Sequence, residues 1–567
     1  MNEKLQIIKA HIDEEKRELT LQLEGQMQKA FLQDSFRFSA IFQGENQNRY
    51  YPMIAAVNRE EEGKITFVSS AKIELPYVFM DYKPEKKEEI SLRFAYCDLK
   101  EKWVEFSEEI SLPSQFFQKE VEPKNYGKKL FSKIAYVFLT LLLPIWLLDG
   151  YLACKGKKKL HNAAKGMQGK KAILYHAHGI VYEKTGYGYS IREIKTNYFK
   201  RQYEKACRKI SKTEGVLFLS ERRVEKGGNL DLIRNAFCRE KKWKVSEFLT
   251  TLPVHKQSWS QLKESAKLIA KAKVVVLEDF YPQLHALTIR EDTKIVQMWH
   301  ACGAFKLFGL SELGVVEHLK QSTRNHRNYD IALTSSVEIA PFYSEAFGIS
   351  KSHVKPIGVP RTDIFFDSSY GEKMKEELLE KYPVCQGKKV VLFAPTFRGS
   401  GNKTAYFPKD KFPVNEIMRA LPEDVVLIVK NHPFVKQTYE VAEAYKERLL
   451  DLSANENIND LLFITDLLIT DYSSVIFEAS LLKIPMLFYA FDLQQYLKER
   501  NLYFDFASFV PGEIVWNCNE LIETIRKCLS GNNVEEERYI AFQEFFLSSL
   551  DGKSTQRTVS LIEELLK

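Results

Sequence analysis

The sequence predicts an α/β protein in which two successive Rossmann-like units face a cleft and follow a small antiparallel β-sandwich. Up to about Pro113, apolar and polar residues alternate with period two, as in Leu19-Thr-Leu-Gln-Leu-Glu, Arg37-Phe-Ser-Ala-Ile-Phe and Lys64-Ile-Thr-Phe-Val. Short alternating runs separated by charged or Gly and Asn turns are the mark of half-buried strands. Beyond about residue 170 the rhythm becomes strand, helix, strand, with the near-continuous apolar strands of sheets covered on both faces. At 567 residues and 45% hydrophobic content, the chain is too long for one core and can fill two or three.

Residues 1–120 form the expected sandwich, which also includes Ser91-Leu-Arg-Phe-Ala-Tyr and Trp103-Val-Glu-Phe. It shows no obvious chemistry and reads as an accessory or partner-binding module. Residues 121–165 are basic and apolar. There, Ile134 to Leu148 is apolar apart from Thr140, broken by Pro144, and flanked by Lys128, Lys129 and Lys133 on one side and Lys155, Lys157, Lys158 and Lys159 on the other. About 15 residues falls short of the roughly 17 to 25 that a spanning helix needs. Lysines on both sides favour a helix lying on an anionic membrane surface over a buried core helix or a true span.

Residues 166–356 make the first Rossmann-like lobe. Ala172-Ile-Leu-Tyr, Gly215-Val-Leu-Phe-Leu, Lys273-Val-Val-Val-Leu, Thr293-Lys-Ile-Val-Gln-Met and Asp330-Ile-Ala-Leu-Thr read as its buried parallel strands. Residues 357–567 make the second, with Lys389-Val-Val-Leu-Phe-Ala, Val425-Val-Leu-Ile-Val-Lys, Leu467-Leu-Ile-Thr and Met486-Leu-Phe-Tyr. Ligands are expected at the carboxyl ends of these strands.

Several function classes are disfavoured. The 82 basic residues are offset by 75 acidic ones, and a net charge of +7 over this length does not argue for nucleic acid. Eight scattered cysteines with no C-x-x-C pair favour neither a disulfide scaffold nor a zinc site, and fit a reducing cytoplasm. Neither a P-loop nor a clear G-x-G-x-x-G follows a strand, which disfavours a P-loop ATPase and a dinucleotide oxidoreductase. Met1-Asn2-Glu3-Lys4 leads into a mixed run without a hydrophobic core, so no secretory signal is expected.

The richest stretch is Ile469-Thr470-Asp471-Tyr472-Ser473-Ser474 before the helical pattern Val475-Ile476-Phe477-Glu478-Ala479. A strand that empties into adjacent serines at a helix start offers N–H groups and hydroxyls to a phosphate. His300 leaves another strand, with Lys306 within two turns: an imidazole to take a proton and a cation to hold phosphate. Arg361 in Gly358-Val-Pro-Arg-Thr-Asp363, and Thr396 and Arg398 in Phe393-Ala-Pro-Thr-Phe-Arg-Gly399, add planar phosphate donors and a hydroxyl, although either arginine taken alone reads as a partner in a surface or interdomain ion pair. Lys430-Asn431-His432-Pro433 repeats the strand-to-histidine arrangement, the proline ending the strand. Together these strand ends point to diphosphate binding. Glu278-Asp279 reads as a solvated cap, and Cys302 is disfavoured as a nucleophile.

The ordered set of Trp299-His300, Gly358 to Asp363, Ala394 to Arg398, Asn431-His432-Pro433, Thr470 to Ser474 and Phe488 to Asp492 resembles the CDP-glycerol glycerophosphotransferase family of teichoic acid synthases, over roughly residues 170 to 550. Trp-His-Ala-Cys-Gly-Ala-Phe-Lys and Phe-Ala-Pro-Thr-Phe-Arg-Gly are closest to its ribitol-phosphate branch. The resemblance implies a GT-B-like pair of lobes, with the donor held mainly by the C-terminal one. It implies transfer of ribitol phosphate or glycerol phosphate from CDP-ribitol or CDP-glycerol to the terminal hydroxyl of a lipid-linked teichoic acid acceptor, with release of CMP. No metal and no cofactor are implied, and the protein is expected peripherally at the cytoplasmic face of the plasma membrane. His300 and His432 are the implied catalytic pair. Arg398, Ser473 and Ser474 are the implied diphosphate grip, with Asp471, Thr396, Arg361, Lys306 and Glu478 as further substrate-binding candidates. A GT-B glycosyltransferase using a nucleotide sugar and a non-catalytic membrane-surface scaffold are the alternatives, and a homo-oligomer is left open.

Overall fold

The structure is a computed structural model that describes residues 4–28, 35–45, 47–61, 64–80, 89–98, 102–118, 138, 141–161, 164, 167–185, 191–222, 228–317, 319–399, 404–436, 438–530 and 536–567. Residues 1–118, 210–251 and 268–567 form one compact unit; residues 119–209 and 252–267 form another.

The first unit opens with seven strands: β1 (Lys4–Asp13), β2 (Glu18–Gln28), β3 (Ser35–Gln43), β4 (Asn48–Glu61), β5 (Lys64–Glu74), β6 (Glu89–Asp98) and β7 (Lys102–Pro113). They pair antiparallel in the order β1-β2-β5-β4-β3-β6-β7. The period-two pattern is realised as written, with Leu19, Leu21 and Leu23 buried and Gln22 and Glu24 exposed. The expected two-sheet sandwich is corrected to one continuous sheet that curls until β1 approaches β7. Register shifts at Ile7/Lys9, Val57/Arg59 and Arg93/Ala95 supply the curl, because a bulge bends its strand and increases local twist. The inner face then fills itself with Phe38, Phe42, Phe67, Phe94, Phe106 and Phe117.

Two six-stranded parallel sheets follow. The first contains β8 (Val216–Ser220), β9 (Val245–Leu249), β10 (Val274–Leu277), β11 (Lys294–Gln297), β12 (Ile331–Leu333) and β13 (Val354–Lys355), in the order β13-β12-β11-β10-β8-β9. The second contains β14 (Lys389–Phe393), β15 (Val425–Val429), β16 (Leu449–Asp451), β17 (Leu467–Thr470), β18 (Met486–Tyr489) and β19 (Glu513–Val515), in the order β16-β15-β14-β17-β18-β19. Every residue of β8, β10, β15, β17 and β18 is buried, as continuous apolar strands covered on both faces require. The second sheet has the strand order 3-2-1-4-5-6 of a doubly wound fold, and its direction of winding reverses between β14 and β17. In the first, the reversal falls between β8 and β10.

The last helix, Ser554–Leu566, returns to the first parallel sheet, where Ile562 and Leu566 join the core of Val216, Val274 and Val296. Asp363 fixes its start by accepting from Ser554 N (3.0 Å) and Thr555 N (2.8 Å). Gly358 lies so close to Ser554, at φ +97°, that a Cβ would overlap the serine hydroxyl.

The other unit carries the helices Leu143–Cys154, Gly169–Thr185 and Ile191–Lys209. The strand expected at Ala172-Ile-Leu-Tyr is instead part of the second of these, with Ala172, His176, Ala177 and Val181 buried at helical spacing. A short apolar run does not separate a strand from a buried helix face. Asp149 joins this helix to the first one, accepting from Lys158 and lying 2.7 Å from His176 Nε2. Of the expected membrane segment, Lys128, Lys129, Lys133 and most of Ile134 to Leu142 lie outside the described residues. Among the described residues, no helix is long and apolar enough to cross a membrane. The helix Leu143–Cys154 nevertheless leaves Ile145, Leu148 and Tyr151 exposed.

Candidate active site

Polar residues gather outside the carboxyl ends of both parallel sheets, where the reversal of strand order opens a crevice. In the first sheet, His300 lies three residues beyond β11, and Glu278 and Asp279 follow β10 directly. His300 Nδ1 is 3.2 Å from Asp279 Oδ1, close enough to pair although bent from an ideal hydrogen bond. Asp279 is only 4% exposed, whereas the His300 side chain is 36% exposed. Glu278 is buried as well, accepting from Asn229 N (3.0 Å) and Leu230 N (3.4 Å) at the start of the helix Gly228–Glu240. The expectation of a solvated acidic cap is therefore corrected: one carboxylate caps a helix and the other faces the histidine.

The backbone beneath His300 is held firmly. Trp299 adopts φ +58°, a conformation a bulky residue keeps only when its surroundings enforce it. Its carbonyl accepts from Asn229 Nδ2 (2.8 Å), its N–H donates to Gln297 Oε1 (2.9 Å), and its ring stacks on Phe308. The His300 ring packs against the ring of the preceding Trp299 at 4.5 Å. Two residues further on, Cys302 is fully buried and burial pushes its thiol pKa up, which leaves it no thiolate character. Gly303, at φ +62°, sits so close to Phe477 that a Cβ would overlap the ring.

In the second sheet, His432 lies three residues beyond β15. Its Nδ1 accepts from Phe434 N (3.2 Å), and its ring packs against Phe397 (4.7 Å). Burial lowers its pKa to about 4, reinforced by the nearby charges of Lys306, Arg500 and Lys430. Lys306 reaches this neighbourhood from the first sheet's loop because Phe305 to Leu307 pair with Asn501 to Tyr503 in a short antiparallel bridge. Its ammonium lies over the Tyr496 ring, and burial lowers its pKa to about 8, with Asp471 opposing and Arg500 and Arg398 adding repulsion. Arg500 sits over Phe397 at 4.9 Å and donates to Gly399 O at 3.1 Å.

Asp471 is a buried hub. Its Oδ1 accepts from Thr396 N (2.7 Å) and Tyr472 N (2.6 Å), and its Oδ2 from Arg398 Nη1 (2.9 Å). Arg398 is largely committed within the protein: it grips Asp492 with Nε (2.7 Å) and Nη2 (2.9 Å) and donates to Thr396 O (2.6 Å). Four aromatic rings, from Phe407, Tyr472, Phe491 and Tyr496, surround it. Ser473 is half-buried and Ser474 exposed, ahead of the helix Val475–Leu481, while Thr396 Oγ1 is buried without a hydrogen-bond partner. Glu478, one turn into that helix, pairs with Arg361, which also lies 3.9 Å from Cys302 Sγ through Nη2. Arg361 N donates to Asn229 Oδ1 (2.7 Å), so one asparagine ties the His300 backbone to the Arg361 turn.

Residues 198–564 match the family model described as CDP-Glycerol:Poly(glycerophosphate) glycerophosphotransferase, a span covering more than half of the chain. The chain belongs to this family. Similar proteins include the teichoic acid poly(ribitol-phosphate) polymerase of Bacillus spizizenii, 36% identical over 373 residues, covering 66% of this chain and 60% of the relative. The teichoic acid ribitol-phosphate polymerase TarL of Staphylococcus aureus is 38% identical over 354 residues, 62% of either protein. The teichoic acid glycerol-phosphate primase of Bacillus subtilis is 30% identical over 318 residues, 55% of this chain and 78% of the relative. The chain thus spans about 60% of the length of the first two relatives. Among solved structures, a variant of the wall teichoic acid polymerase TagF shares the fold with a TM-score of 0.54 at 21% identity, covering 66% of this chain and 96% of that one.

Within this glycerophosphotransferase-family chain, three further residues surround the strand-end candidates: Asp279, which the sequence reads as a solvated cap, and Asn229 and Arg500, which the sequence does not single out. Asp279 and Asn229 carry no motif, and only the pairing of β10 with β8 and β11 brings them to His300. Arg500 lies in a helix-to-loop stretch with no strand signal. Its one legible cue was its position eight residues after Asp492, the end of the last motif segment.

Proposed function

We propose that this chain transfers a polyol phosphate from a CDP-polyol, CDP-ribitol in preference to CDP-glycerol, to the terminal hydroxyl of a lipid-linked wall teichoic acid chain, releasing CMP. The observation that carries this assignment is the contrast between His300, backed by the buried Asp279 carboxylate, and His432, set among Lys306 and Arg500. The first setting suits a proton acceptor and the second a diphosphate. Greater identity to ribitol-phosphate enzymes than to the glycerol-phosphate primase supports the choice of polyol.

In this mechanism the two parallel sheets act as a GT-B-like pair, the acceptor on the first and the donor on the second. Asp279 favours a proton on His300 Nδ1, leaving the Nε2 lone pair for the acceptor hydroxyl. The hydroxyl oxygen attacks the polyol-bearing phosphorus as its proton passes to Nε2. The bond from that phosphorus to the CMP oxygen breaks, and its electron pair leaves with CMP. His432 stays neutral, and because Nδ1 accepts from Phe434 N–H, its proton sits on Nε2, which donates a hydrogen bond to the diphosphate and keeps the proton. Lys306, Arg500 and the hydroxyls of Ser473, Ser474 and Thr396 complete a preorganised anion site. Arg398, Asp471, Arg361 and Glu478 hold that site's walls in place.

Incubation with labelled CDP-ribitol, CDP-glycerol and UDP-sugars on a defined lipid-linked acceptor tests the assignment. CMP release and polyol-phosphate product are expected, fastest from CDP-ribitol; turnover of a UDP-sugar alone contradicts it. The protein would work peripherally at the cytoplasmic face of the plasma membrane, supported by the exposed Ile145, Leu148 and Tyr151 ahead of Lys155, Lys157, Lys158 and Lys159. Reversing those lysine charges should release it from anionic vesicles, and undiminished binding would refute this placement.

A further inference from the structure

A buried polar node links the N-terminal sheet to the candidate site. Glu345, 3% exposed, lies in the helix Ala340–Phe347 and accepts from Arg37 Nη2 (2.8 Å), Ser39 Oγ (3.0 Å) and Ser311 Oγ (2.6 Å). Arg37 Nη1 also donates to Ser311 O at 2.9 Å. A carboxylate this deep needs a charged partner and further donors, and β3 supplies both the guanidinium and one hydroxyl.

From that node a continuous path runs to the chemistry. Tyr503 OH donates to Ser311 Oγ (2.9 Å), and the Arg37 guanidinium lies 5.8 Å from the centre of the Tyr503 ring. Tyr503 N donates to Phe305 O, and Leu307 N to Asn501 O, each at 3.0 Å. These two bonds bracket Lys306. The adjacent Phe308 packs on Tyr503 (6.2 Å) and stacks on Trp299 (5.1 Å), whose ring supports His300.

We propose that Arg37 is a positioning residue for donor binding: through Glu345, Ser311 and Tyr503 it fixes the bridge that holds Lys306 where the donor diphosphate binds. The inference rests on the assignment of Lys306 to that diphosphate. A lysine on a flexible stem contributes most when its backbone is held to within a fraction of an ångström, and the bridge provides that constraint. The N-terminal sheet thereby becomes part of the catalytic apparatus, although the family match begins only at residue 198.

The test uses the full chain and two perturbations. Arg37→Met with Glu345→Gln removes both charges together, so no buried carboxylate is stranded, and Tyr503→Phe removes a single hydroxyl. Each is measured for CDP-ribitol affinity by calorimetry, for KM and kcat, and again in a Lys306→Met background. Affinity should fall and KM rise roughly 3- to 10-fold with little change in kcat, and the loss should vanish once Lys306 is gone, as coupled residues require. Folded variants that bind as the wild type does, or that lose as much affinity without Lys306 as with it, overturn the inference. Should the paired variant fail to fold, Tyr503→Phe decides by the same criterion. A wild-type chain that binds no CDP-polyol overturns the functional assignment and this inference together, whereas normal wild-type binding with indifferent variants overturns the inference alone.

Discussion

His300 and His432 each lie three residues past a parallel strand, β11 in the first sheet and β15 in the second, yet their surroundings are opposite. His300 is partly exposed and faces a carboxylate that is almost wholly buried. His432 is packed between Phe397 and Phe434 among Lys306, Arg500 and Lys430, and its pKa is lowered to about 4. Under the proposed mechanism, one imidazole gains a proton during reaction and the other remains neutral and donates a hydrogen bond. The difference teaches that the strand end selects where a functional group sits, while the charges packed around it select what the group does.

The comparison is broken most severely at His300. Replacement by Ala should lower kcat by about 10³- to 10⁴-fold, near the upper range of general base catalysis, while the melting temperature stays close to that of the parent. A fold that survives with near-normal turnover would remove His300 from the chemistry. Asp279→Asn should cost about 10²-fold, because it leaves the imidazole in place but loses the carboxylate that sets its tautomer and stabilises its charged form. An equal loss in Asp279→Asn and Asp279→Ala, with unchanged donor affinity, would confirm that the charge matters rather than the shape; little loss in either would refute the pairing.

The smallest expected effect concerns the cation on the donor side. Lys306, at about 8 in the free protein, is charged below that pH and neutral above it, so kcat/KM for the donor should fall as pH rises through about 8. Lys306→Arg stays charged throughout and should push that alkaline limb upward, at a cost of roughly 2- to 5-fold in the plateau from imperfect geometry. An unmoved limb would assign it to another group.

Much of this was legible in the sequence, and the failures have physical reasons. The apolar runs at Val274–Leu277, Val425–Val429 and Leu467–Thr470 announced strands because both faces are covered, and each site loop follows such a run. The helix at Gly169–Thr185 was misread because four apolar or neutral residues satisfy either period. The curl of the N-terminal sheet was hidden because bulges leave the alternation intact on both sides of the shift. Asp279 looked like a surface acid because its partners, His300 and Arg222, lie 21 and 57 residues away and meet it through the pairing of β10 with β11 and β8. An ion pair was the reading of Arg398 taken alone, but its partners Asp471 and Asp492 could not be named from the sequence because they lie 73 and 94 residues downstream.

Glutamine at each histidine position measures the central contrast most directly, since a side-chain amide donates a hydrogen bond but has no basicity near neutral pH. Comparing kcat/KM for His300→Gln and His432→Gln with the corresponding Ala variants, the account predicts substantial recovery by Gln at position 432 and none at position 300. Recovery at 300 with none at 432 would contradict it.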